Sequence, residues 1–204
     1  MKRPNVAWRG FCRLGSWLLL CLGVYYLWSR VYRMLPWQAF AKHKPVPLCV
    51  STVELIGLLG SLEWERDGVL EFWDAIGRPD VALARGKGDC DEYAAVALAA
   101  GRFGVLDTRS AVWKPYCLMT VTWWTDSGRI TGHNVAVFAR GPLMRPQFSH
   151  VSNWGWRSGD MDTINEVARN IAGRRGAQPM AWSCVTPNLR RVIRYEWIGG
   201  GRLS

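Results

Sequence analysis

The sequence predicts an α+β domain preceded by one transmembrane helix. Three observations carry this expectation. An uncharged apolar run fills residues 14–29, with cations on both sides. From residue 51 to 103, apolar residues recur at helical spacing behind capping residues. From residue 116 onward, β-branched and aromatic runs bounded by turn residues take over, so helices come first and antiparallel strands follow.

A chain of 204 residues has room for one ordinary domain and a short extra segment. With 49% hydrophobic and 21% charged residues, it is not a disordered chain. The net charge of +10 would suit a nucleic-acid binder, but its placement does not. Lys2, Arg3, Arg9, Arg13, Arg30, Arg33, Lys42 and Lys44 lie in the first 44 residues, which hold no acid, and the rest is nearly balanced. Cations flanking an apolar run match anionic lipid headgroups rather than a basic protein face, so a lipid bilayer is the expected partner and nucleic acid is not.

The elements follow in order. Residues 1–13 form a basic N-terminal segment. Residues 14–32 are the expected single-pass anchor, lengthened by snorkelling Arg13 and Arg30 and edged by Trp8, Trp17, Trp28 and Trp37. No small-x-small cleavage site follows, so the anchor is expected to remain uncleaved. Signal-anchor insertion would put the remaining chain outside the cytoplasm. Residues 33–47 form a linker through Pro45 and Pro47, and residues 48–204 form the domain. Ser51 with Glu54 opens a helix as a capping box. Val69, Leu70, Phe72, Trp73 and Ile76 mark a second helix, stopped by Gly77 and Pro79. A third covers residues 89–103. Strands are expected at 116–124, 132–140 and 147–154, then a helix from Thr163 to Gly173 and a closing strand near 192–198.

The chemistry concentrates in Gly88-Asp89-Cys90-Asp91-Glu92-Tyr93-Ala94. Asp89 is a good N-cap and Glu92 stands at the capping-box offset, so Cys90 falls in the first turn of a helix. Unpaired N–H groups and the positive dipole end there stabilise a thiolate and a developing oxyanion. A cysteine nucleophile needs an imidazole to carry its proton, and the imidazole needs a partner to fix its tautomer. His133 lies on the 132–140 strand. On the neighbouring strand His150 and Asn153 occupy opposite faces, so register decides which one meets His133. Cys12, Cys21, Cys49, Cys117 and Cys184 imply no disulfide framework, and no His/Cys spacing implies zinc.

The string GDCDEYA, followed about forty residues later by GHNVAVF, resembles the bacterial transglutaminase-like cysteine peptidases of the papain-like superfamily. That resemblance covers roughly residues 48–155. It implies a papain-like fold with N-terminal helices on an antiparallel sheet, Cys90 as nucleophile and His133 as base. The family's third residue is an acid, and no Asp or Glu occurs between Asp126 and Asp160. In this the chain is similar to the NlpC/P60 peptidases, whose third residue is often a histidine, which implies His150. A papain-like choice implies Asn153 instead. The expected activity is hydrolysis of an amide or peptide bond through an acyl-thioester, with a protein or peptidoglycan peptide as substrate. No cofactor and no metal are expected. Transfer to an amine acceptor and a non-enzymatic interaction protein with a degraded site are the rival expectations.

Overall fold

Capping chemistry decides where the helices begin. The computed structural model describes residues 23–36, 40–65, 76–101, 113–141 and 145–197. Residues 23–34 are helical (α1). Ser51 caps α2 (Thr52–Gly60) by accepting the N–H of Glu54 at 3.2 Å. A two-residue strand β1 (Glu63–Trp64) follows. Pro79, expected to stop a helix, instead opens α3 (Pro79–Arg85), because its missing N–H costs nothing in a first turn. Gly86 closes α3 in the left-handed region at φ 68°, where a side chain would be strained. Then come β2 (Lys87–Gly88), parallel to β1, and α4 (Cys90–Ala100). The helix expected around residues 69–73 lies outside the described residues.

Strands β3 (Lys114–Trp124), β4 (Ile130–Arg140), β5 (Gln147–Ser152) and β6 (Gly155–Met161) form an antiparallel meander. The strand expected to run to Trp154 ends at Ser152, and a tight turn through Asn153 and Trp154 starts β6. Helix α5 (Ile164–Gly173) crosses back, and β7 (Pro179–Val185) and β8 (Val192–Trp197) complete a six-stranded sheet ordered β6-β5-β4-β3-β7-β8.

Alternation along the strands gives the sheet two buried faces. On one face Leu118, Ala136, Phe138, Val151 and Val185 pack with α1, α2, α3 and α4. On the other Met119, Val121, Val135, Val137, Trp182 and Cys184 pack with Val167, Ala168 and Ile171 of α5. Helices thus cover both sides of the sheet.

Two expectations are corrected here. Among the described residues no helix is long and apolar enough to cross a membrane, which argues against a single-pass membrane protein. Residues 1–22, with the basic segment and the start of that run, lie outside the described residues. The described part packs into the domain. Tyr26 is 4% exposed, and its hydroxyl is hydrogen-bonded to Thr120 Oγ1 and Ser183 Oγ at 2.6 Å each. Buried Ser29 accepts the N–H of Ile76 at 3.1 Å, and Arg33 donates to the Ile76 carbonyl at 3.0 Å. The side of α1 that carries Tyr25, Tyr26 and Ser29 therefore covers protein, while Val24, Leu27 and Val31 are exposed. The second correction concerns the fold: α+β with an antiparallel sheet is what the chain forms, and the papain-like arrangement is not shown.

Candidate active site

The GDCDE string folds by local bonds. Asp89 Oδ1 accepts the N–H groups of Asp91 at 2.7 Å and Glu92 at 3.4 Å, while the Glu92 carboxylate accepts the Asp89 N–H at 3.2 Å. The expected capping box is present in both halves. Glu92 also accepts the Gly77 N–H at 3.1 Å and presses on Gly88, where an added Cβ would meet the Glu92 Cβ at 2.5 Å. Gly88, Asp89 and Glu92 are therefore explained by the start of α4.

Asp91 is fully buried within a polar network that no motif or spacing announces. It accepts hydrogen bonds from the Tyr25 hydroxyl and from Asn134 Nδ2, and Thr120 Oγ1 donates to Asn134 Oδ1. Thr120 pairs with Asn134 on one side and with Ser183 on the other, so one polar row runs across β4, β3 and β7 beneath α1. Burial, reinforced by the Asp89 charge, raises the Asp91 carboxyl to about 6 against the pull of Tyr25 and Asn134.

Cys90 is half-buried, whereas Cys49, Cys117 and Cys184 are buried. Its sulfur donates to Asp91 Oδ1 at 3.5 Å and faces the backbone N–H of Asn134. Burial first, then the charges of Asp91 and Asp89, push the thiol up, against that N–H. This corrects the expectation of a stabilised thiolate. A helix terminus carries about half a positive charge, and here two carboxylates stand beside it.

His133 follows the other parity of β4. Asn134 points at α4, so His133 points to the opposite face with Val135 and Val137. Its ring stacks on Trp154, with centroids 3.8 Å apart and planes 11° off parallel, and its Nε2 is buried without a hydrogen-bond partner. Burial, then the charges of His150, Arg175 and Arg174, lower its pKa to about 3. Cys90 and His133 thus flank Asn134 without a hydrogen bond between their side chains.

His150 is fully buried on the α5 face, opposite Val137. That is four residues along β4 from His133, a backbone offset of about 14 Å at ~3.4 Å per residue. Its Nε2 is hydrogen-bonded to Asn170 Oδ1 at 3.0 Å, its Nδ1 has no partner, and burial together with Arg174 and Arg157 lowers its pKa to about 4. Asn153, in the turn beside Trp154, has a buried Oδ1 without a partner. The structure therefore brings Cys90 next to the His133–Asn134 stretch of β4, and does not bring His150 to His133.

Asp89, Cys90 and Asp91 offer ligand atoms within 4.8 Å of one another. Asp89 Oδ1 is engaged by the helix cap, and the Asp91 oxygens by Tyr25, Asn134 and the Cys90 thiol. No known protein family, curated protein or solved structure matches this chain.

Proposed function

We propose that this protein is a thiol-dependent amidase or peptidase. The single supporting observation is that Cys90 is the one cysteine among the described residues that is not buried, and that it stands at the capped start of α4 against the Asn134 N–H, one residue along β4 from His133. The resemblance of GDCDEYA and GHNVAVF to transglutaminase-like cysteine peptidases points the same way. In the proposed reaction Cys90 Sγ bonds to an amide carbonyl carbon as its proton passes to His133. The C–N bond then breaks, the amine leaves with that proton, and water cleaves the thioester to free acid and thiol.

His133 must leave Trp154 and the α5 face of β4 and swing past Asn134 toward Cys90 to take part. Its Nε2 has no hydrogen-bond partner to displace, and the unpartnered Asn153 Oδ1 makes Asn153 a better orienting residue than His150, which is committed to Asn170. The raised Cys90 thiol and a His133 buried on the far face of β4 favour a second reading, a non-enzymatic interaction domain.

Reaction with p-nitrophenyl acetate separates the two. The hydrolase reading expects acetylation of Cys90, seen by mass spectrometry, with continued turnover that Cys90→Ser abolishes and His133→Ala lowers about 100-fold or more. Stoichiometric labelling without turnover, or a His133→Ala variant as fast as wild type, would leave the non-enzymatic reading.

A further inference from the structure

Trp154 is held between unlike groups. On one side lies the His133 ring. Two guanidiniums also cover the indole: Arg174 Cζ lies 5.1 Å and Arg175 Cζ 4.7 Å from its ring centroid. Both arginines come from the end of α5, where Arg174 is the C-cap. A third cation approaches from the sheet. Arg157 on β6 pairs with His150 on β5, whose side chain faces α5, so Arg157 emerges on that same face.

Cations at a helix C-terminus are ordinary, since they oppose the dipole. That accounts for Arg174 and Arg175 being there, but not for their stacking on Trp154 with Arg157 brought alongside. All three are exposed, and among the described residues none forms an ion pair. Burial and the charges of Arg157 and Arg175 hold the Arg174 guanidinium below its ordinary pKa. Behind them His133 and His150 are kept neutral and contribute no negative charge. Like charges gathered without a counter-charge repel, and a guanidinium held over an indole keeps N–H donors free for an anion.

We propose that Arg174 and Arg175, held over Trp154 at the end of α5, and Arg157 on the same face of β6 form a binding site for an oxyanion, a carboxylate or phosphate carried by a ligand. The indole fixes two forks in place, so less side-chain freedom is lost on binding than for free surface arginines. The site stands whether or not Cys90 is a nucleophile.

The test is isothermal titration of the full chain with inorganic phosphate and, separately, glutarate, at constant ionic strength balanced with chloride. Saturable binding of at least one is expected, and the tighter of the two identifies a phosphoryl or a carboxyl source. Arg174→Gln with Arg175→Gln weakens it at least tenfold. Arg190→Gln with Arg191→Gln, which removes the same charge from the turn before β8, changes it less than twofold. Absence of saturable binding to both anions overturns the site, as does equal weakening by the two double variants. If the Arg174/Arg175 variant loses cooperative unfolding, Arg157→Gln decides instead, and unchanged affinity there overturns the proposal.

Discussion

Tyr26 shows what a single hydroxyl does in this chain. Its oxygen meets Thr120 and Ser183 across two strands, and burial raises its pKa above the ordinary tyrosine value. Tyr26→Phe keeps the ring but leaves Ser183 without that partner, so chemical denaturation should show a loss of about 1–2 kcal/mol. Asp91 supplies a pH signature. Its folded pKa lies near 6, above the unfolded value of 3.8, so its contribution is fully present below pH 3.8 and is lost as pH rises through 6. The wild-type melting temperature should fall across that interval for this reason, and Asp91→Asn should flatten the fall. For Cys90, burial and two carboxylates imply that its alkylation by iodoacetamide keeps rising with pH beyond the ordinary cysteine value of about 8.5. A rate already level at pH 7 would contradict that electrostatic account. The sequence reading located Cys90 and His133 correctly on a helix start and a strand. It missed their mutual orientation, because a one-residue change of strand parity exchanges faces and leaves no trace in spacing.

At the scale of elements, α4 couples stability to reactivity. Asp89→Ala removes two bonds to the first turn and should cost about 1–2 kcal/mol. The same change removes a negative charge beside the sulfur, so Cys90 should alkylate faster at a given pH while the protein melts lower. A variant that melts lower with unaltered thiol reactivity would show that Asp89 acts only as a cap. At the other end of α4 the chain passes close to β4: a Cβ at Gly101 would meet Phe138 Cε1 at 2.5 Å and the Ala97 carbonyl at 2.9 Å. Gly101→Ala should lower stability by about 1–3 kcal/mol, read from the denaturation midpoint. Ser51, Asp89 and Thr163 were legible as caps because capping is decided within four residues. Strand β7 was not, because it opens with Pro179 and is buried at every position, so no alternation marks it. Strand β6, GWRSGDM, lacks the β-branched content that marks its neighbours.

The whole molecule explains why residues 14–32 suggested a bilayer. Composition does not distinguish a helix side covered by lipid from one covered by protein. The informative residues were Tyr25 and Tyr26, whose hydroxyls need partners in the middle of an apolar run. The linker at residues 33–47 invites a cut at Pro45 to isolate the expected domain. The structure predicts otherwise, since removing α1 leaves Thr120, Ser183, Asn134 and Asp91 without the tyrosines that cover them. That truncated chain should unfold at lower denaturant than the full chain, by several kcal/mol given the usual cost of uncovered buried polar groups, ~1–3 kcal/mol each. The Tyr26–Ser183 bond spans 157 positions. During vectorial synthesis at about 5–20 residues per second, roughly ten to thirty seconds pass between the polymerisation of Tyr26 and that of Ser183. Throughout that interval the nascent chain carries an apolar helix whose resting place does not yet exist, and a chaperone that holds apolar segments has that long to engage it.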